Sequence, residues 1–186
     1  DACLVGSEMC IRDRYSIFLV KIMREKDINL LAKEIVTKCS VLNKKLTVAE
    51  SCTGGMIASY ITSVSGSSNI FDRGFVTYSN EAKIDLLNVK KETLKNHGAV
   101  SFETAIEMVE GAINNSIASV AISITGVAGP AGGTKVNPVG SVYIAVIVDN
   151  KKEVQKYSFK NRGRKFIRLA SVFEALNLLG KKLDVS

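Results

Sequence analysis

Tryptophan is absent from this 186-residue chain, histidine occurs once, proline twice, and aromatic residues make up 6%. Each scarcity narrows the reading. A single histidine, His97, argues against both a Ser-His-Asp relay and a histidine-rich metal site, and its setting in Lys95-Asn96-His97-Gly98 suits a helix end. With few rings available, a core has to rest on Ile, Leu, Val and Ala, which fits helices laid against a central sheet. No apolar run reaches the roughly 20 residues that span a membrane, and neither repeats nor linker-like stretches divide the chain. With 46% hydrophobic residues, one compact α/β domain is expected.

The first residues stand apart. Asp1 to Arg14 lead into no helical or strand periodicity, and Cys3 to Arg14 resemble a translated adaptor artefact at the end of an open reading frame. Residues 1–22 are therefore read as a non-native or disordered leader, with Met23 as a plausible start and 23–186 as a single domain. A secretory signal is the competing reading, but Ile17 to Val20 is short and no small-residue cleavage pattern follows. Setting the leader aside removes Cys3 and Cys10. The remaining pair, Cys39 and Cys52, is far apart and lacks metal-ligand spacing, which predicts a reducing, cytoplasmic setting. Cys39 shares an apolar helical face with Ile28, Leu31 and Ile35, the pattern of a buried structural thiol.

The formal net charge is +7. Its lysines (Lys21, Lys33, Lys38, Lys90, Lys91, Lys95) are scattered and do not form a tract interleaved with aromatics, so solvated helix faces explain most of them. The field suits an anionic small substrate better than DNA or RNA.

Periodicity and punctuation predict helices over Lys26 to Leu42, Gly54 to Val64, Glu81 to Leu87, Lys91 to Asn96, Phe102 to Ile113 and Arg164 to Leu179. Ser101 is expected as an N-cap, and Gly98 and Gly180 as helix terminators. Strands are predicted at Leu46 to Ala49, Phe75 to Tyr78 and Val120 to Ile124. Val142 to Val148 and Val154 to Phe159 form a hairpin turning at Asp149-Asn150, and Gly126 to Gly140 is a long loop. Alternation with one late hairpin implies a mixed sheet between helices.

Two stretches carry chemistry. In Leu46-Thr47-Val48-Ala49-Glu50-Ser51-Cys52-Thr53-Gly54-Gly55, an apolar strand runs into a serine and then a glycine pair at a helix start, where free backbone N–H groups stabilise negative charge. Gly126-Val127-Ala128-Gly129-Pro130-Ala131-Gly132-Gly133-Thr134 follows a buried strand and can bring bare backbone close to a phosphate or carboxylate. It is neither a Walker A loop nor a dinucleotide fingerprint, and a loop without function is the bland alternative. Ser51 lies outside a Gly-x-Ser-x-Gly elbow. With the single histidine assigned to a helix end, a serine nucleophile needs a lysine base, and Lys83 in Thr77-Tyr78-Ser79-Asn80-Glu81-Ala82-Lys83 is the candidate, with Tyr78 relaying a proton or orienting substrate. Taken alone, Lys83 reads better as a solvated helical residue paired with Glu81 or Asp85, and only its joint occurrence with Ser51 favours the catalytic role.

These segments, with Gly74-Phe75-Val76-Thr77-Tyr78-Ser79-Asn80-Glu81-Ala82-Lys83, Gly98-Ala99-Val100-Ser101 and Pro138-Val139-Gly140, resemble the CinA carboxy-terminal domain family, in family order over nearly all of Lys26 to Leu179. The resemblance implies a three-layer α/β/α sandwich with a mixed, mostly parallel sheet and, in its stand-alone members, hydrolysis of nicotinamide mononucleotide to nicotinate mononucleotide and ammonia. It implies Ser51 as nucleophile, Lys83 as its partner and Tyr78 in the active site, with no cofactor or metal. The candidate substrate contacts are Thr53, Gly54, Gly55 and Asn80 near the chemistry, with Thr125, Gly126, Gly129, Gly132, Gly133, Thr134 and Arg164 toward the ribose-phosphate end. Backbone N–H groups near Thr53 to Gly55 would hold the oxyanion. The family's approach to its final helix appears here one residue longer, as Phe159-Lys160-Asn161-Arg162-Gly163-Arg164, so either Arg162 or Arg164 could be its arginine. The resemblance also implies a homodimer or higher homo-oligomer and no activity tied to the amino-terminal molybdopterin-binding-like domain of full CinA proteins, while the scattered charge and the lack of a long apolar run predict no nucleic-acid or membrane partner. A catalytically silent relative and a nucleic-acid-associated competence or damage protein are the other classes left open.

Overall fold

The computed structural model describes residues 25–185, so the predicted leader and start lie outside the described residues. The elements run α1 (Glu25–Val41), β1 (Leu46–Glu50), α2 (Met56–Thr62), a 3-10 turn (Ser67–Asn69), β2 (Phe71–Val76), α3 (Asn80–Leu87), α4 (Lys91–His97) and α5 (Phe102–Asn114). They continue with β3 (Val120–Gly126), β4 (Ser141–Val148), β5 (Lys151–Ser158) and α6 (Arg164–Leu183). The five strands form one sheet in the order β2-β1-β3-β4-β5. β1 pairs parallel with both β2 and β3, whereas β3/β4 and β4/β5 are antiparallel, so four of the five strands point the same way.

Helices cover both faces. Alternation along the strands sends Leu46, Val48, Ile122, Ile124, Ile144 and Val146 toward α1 and α6, where they meet Ile28, Ile35, Val172 and Leu176 in the larger core. Each fully buried aliphatic side chain there contributes about 1.5–3 kcal/mol. The other face is built from smaller residues. Ala121 and Ala145 face Ala105 and Val109 of α5, Ala49 meets Met108 and Ala112, and Ser123 Oγ donates to the Ala105 carbonyl at 2.6 Å. All eight residues of β4 are buried, as expected for a central strand sandwiched between layers. The result is a three-layer α/β/α sandwich.

Several local expectations hold. Ser101 caps α5, its Oγ accepting from Thr104 N–H at 3.2 Å, and the β4–β5 hairpin turns on Asp149 and Asn150, both at positive φ, the signature of the tight turn whose twist matches paired strands. Others shift. The edge strand β2 spans Phe71–Val76, earlier than the predicted 75–78, and Thr77-Tyr78 lies beyond its end. α2 begins at Met56 because Gly54 and Gly55 sit at φ +59° and +91°, outside helical geometry. Gly180 does not stop α6, which runs to Leu183. Among the described residues, no helix is long and apolar enough to cross a membrane.

The chain leaves β1 toward β2 on one side and returns through α3, α4 and α5 to β3 on the other. In parallel α/β sheets such a reversal opens a crevice at the carboxyl ends of the strands. Ser51 follows β1 there, Tyr78 follows β2, and Gly126 ends β3.

Candidate active site

Ser51 is fixed by extension of the sheet. Its N–H donates to Ile124 O at 3.0 Å, continuing the β1–β3 ladder one residue past β1, while Thr77 N–H donates to Glu50 O at 2.8 Å past the end of β2. Lys83 comes from α3, whose first turn is capped by Ser79 Oγ accepting from Ala82 N–H. The lysine side chain is 1% exposed, among the largest fully buried in the protein. Its Nζ donates to Ser51 Oγ at 3.1 Å and to Thr77 O at 2.8 Å. Burial pushes this amine down from its ordinary value to about 8, because desolvation disfavours the ammonium form. Burial also pushes the neighbouring Cys52 thiol up to about 12, leaving it a poor competitor to Ser51 as nucleophile.

Beside this pair lies an open cleft of about 250 Å³ lined by Ser51, Cys52, Tyr78, Lys83, Ala99, Val100, residues 125–129, Ala131, Gly132 and Arg164. Across its mouth, Arg164 donates to Tyr78 Oη at 2.6 Å and to Gly129 O at 2.9 Å. Arg162 instead stacks over the Phe166 ring at 5.6 Å. One helical turn after Arg164, Arg168 donates to Thr53 O at 2.6 Å. Thr125 Oγ1 donates to Ala99 O, pinning one wall. Thr134 closes a small turn with Asn137 and, like Thr53, Gly54, Gly55, Gly133 and the exposed Asn80, is not part of the cleft lining. His97 ends α4 with Nδ1 3.4 Å from the Glu103 carboxylate, also away from the lining.

The glycine turn does not offer all its N–H groups. Gly54 N–H donates to Ser51 O at 3.0 Å and Gly55 N–H to Glu50 Oε2 at 3.1 Å, so among the described residues the donors of this turn not bonded to another residue are those of Cys52, which faces its own thiol, and Thr53. Neither Glu50 nor Arg168 follows from sequence periodicity as a site residue. An acidic residue closing an otherwise apolar buried strand, just ahead of a helix start, is the signal that could have singled out Glu50.

The model of the CinA C-terminal domain matches residues 28–183. The chain belongs to the CinA family. Among relatives, this CinA-family chain is 42% identical over 181 residues to a putative competence-damage inducible protein of Caldicellulosiruptor bescii, covering 97% of this chain and 43% of that protein. It is 54% identical over 142 residues to a CinA-like protein of Endomicrobium trichonymphae, covering 76% and 33% respectively. The chain thus spans less than half the length of these curated relatives. Among solved structures, the competence/damage inducible protein CihA of Agrobacterium tumefaciens superposes with a TM-score of 0.82 at 45% identity, over 85% of this chain and 96% of that one. A CinA superfamily protein of Escherichia coli gives 0.81 at 32% identity, over 85% and 92%.

Proposed function

We propose that this CinA-family domain is a Ser-Lys amidohydrolase that converts nicotinamide mononucleotide and water to nicotinate mononucleotide and ammonia. The observation that carries the reading is the buried Lys83 amine 3.1 Å from Ser51 Oγ with its proton affinity lowered to about 8. A neutral amine can donate to Thr77 O and accept from the Ser51 hydroxyl, the arrangement a general base needs. Ser51 Oγ then attacks the carboxamide carbon as its proton passes to Lys83. The oxyanion is held by the Cys52 and Thr53 N–H groups, and the Lys83 ammonium returns its proton to the departing ammonia. Water, deprotonated by the again neutral Lys83, cleaves the nicotinoyl ester and restores Ser51. Among the described residues lining the cleft there is no carboxylate, and Arg164 stays cationic while Lys83 is neutral, which favours an anionic substrate with its phosphate toward the Arg164 end. The choice of substrate rests on the family resemblance, while the choice of chemistry rests on the dyad.

The test is ammonia release from nicotinamide mononucleotide, with nicotinate mononucleotide formed in equal amount. A folded protein that produces neither at any pH between 6 and 10 sinks the proposal. Because the base is active only when uncharged, kcat/KM should climb about tenfold per pH unit at low pH and level off near pH 8. A flat or falling profile between pH 6 and 8 would remove Lys83 from the role of base.

A further inference from the structure

One buried charge beside Ser51 has no part in that chemistry. Glu50 is wholly buried, and its carboxylate accepts three backbone N–H bonds, from Gly55 (3.1 Å), Ile57 (3.1 Å) and Ala58 (2.9 Å). Among the described residues no lysine or arginine pairs with it, so its charge is met by the peptide dipoles of the α2 start. Such an ion is expensive to bury without a specific task. The task is visible in the turn it borders. From Ser51 to Gly55, the Gly54 N–H is taken by Ser51 O, the Gly55 N–H by Glu50 and the Thr53 carbonyl by Arg168. Among the described residues, only the Cys52 and Thr53 N–H groups of this turn are bonded to no other residue, the former facing just its own thiol, and Cys52 lines the cleft next to the nucleophile.

We propose that Glu50 is the positioning residue of the oxyanion site: its carboxylate ties down the α2 start, closes that helix end to any other anion, and thereby sets the turn whose Cys52 and Thr53 N–H groups, held by no other residue, receive the developing negative charge. The inference rests on Ser51 being the nucleophile. Glu50 touches neither substrate nor reacting atoms, and it acts only through the backbone it holds. A consequence is a division of labour within the cleft, with the substrate's own anionic group excluded from the α2 end and left to the opposite mouth.

The test is Glu50→Gln, which keeps shape but turns one acceptor oxygen into a donor amide facing a backbone N–H. Displaced oxyanion donors weaken the transition state and spare ground-state binding, so kcat should fall about 100-fold with KM within about threefold, the loss typical of one such donor. The pH midpoint should stay near 8, because the Lys83 partners are untouched. Phenylboronic acid, which forms a tetrahedral anionic adduct with a serine hydroxyl, supplies a readout independent of the natural substrate. Its affinity, followed by boron NMR and abolished by Ser51→Ala, should drop at least about 30-fold in the variant. A variant with a lower Tm but unchanged kcat per folded molecule overturns the proposal, as does a raised KM with kcat retained. Should the wild-type protein release no ammonia from nicotinamide mononucleotide, the substrate reading fails, and the boronate comparison still decides about Glu50. Equal affinity in wild type and variant overturns its role. If Glu50→Gln does not fold, Glu50→Asp, one methylene short of its three partners, is expected to give the same split between kcat and KM.

Discussion

Lys83→Met is expected to abolish the proposed turnover and yet to yield a more heat-resistant protein near neutral pH. Removing one member of a nucleophile–base unit costs at least about 10⁴-fold in kcat, and Ser51→Ala should match it, since neither residue works without the other. The stability effect separates the two variants. In the folded protein the Lys83 amine sits at about 8, whereas an unfolded chain holds it near 10.4. At pH 7 both states bind the proton, so the folded state carries a desolvated ammonium at its full cost, and methionine fills similar space without it. The relief is on the order of 3 kcal/mol at most, reduced by the lost bonds to Thr77 O and Ser51 Oγ, and a gain of about 2 kcal/mol would raise Tm by roughly 4–8 °C. Between about pH 8 and 10.5 the unfolded state binds more protons than the folded one, so wild-type stability rises through that window and the advantage of the variant shrinks. Scanning calorimetry at pH 7 and 9.5 reads both halves. A lower Tm for Lys83→Met at pH 7, or retained turnover, defeats the account.

Gly111→Ala should destabilise the protein, against the helix-propensity expectation of a gain of about 1 kcal/mol. Gly111 lies within α5 where that helix crosses the end of α3, and a Cβ there would stand 2.0 Å from the Leu87 carbonyl oxygen. Backbone on both sides leaves no flexible group to yield. Overpacking of this kind costs about 1–3 kcal/mol or more, so a net loss of about 2 kcal/mol and a Tm lower by roughly 4–8 °C is expected. Because α3 also carries Lys83, the same shift should lengthen the contact with Ser51 and lower kcat in the surviving folded protein. A Tm at or above wild type would show that α3 and α5 are not in the described contact.

What could be read from the chain depended on how locally each feature is encoded. α1, β1, β3 and the 149–150 turn announce themselves through apolar spacing and turn chemistry within a few residues. β2 does not, because an edge strand carrying Asp72, Arg73 and Gly74 has exposed positions that break its alternation. Gly180 misleads because tertiary context overrides its propensity: it is buried inside α6, its carbonyl accepts from Lys38 Nζ of α1, and packing carries the helix past it to Leu183. At the site, residue types proposed Ser51 and Lys83 separately. Their meeting across 32 residues depends on the parallel crossover from β1 through α2 to β2, which no window of sequence contains. The roles of Glu50 and Arg168 depend on which backbone groups remain unbonded, which only the assembled turn reveals.

The depth of the Lys83 side chain also governs proton traffic. Its two neighbours are a carbonyl oxygen, which cannot relay a proton under these conditions, and the Ser51 hydroxyl, itself 9% exposed. Equilibration of the amine with bulk water therefore runs through the cleft that it and that hydroxyl line, and a ligand seated over Ser51 would isolate the amine from the solvent's pH for as long as it stays bound.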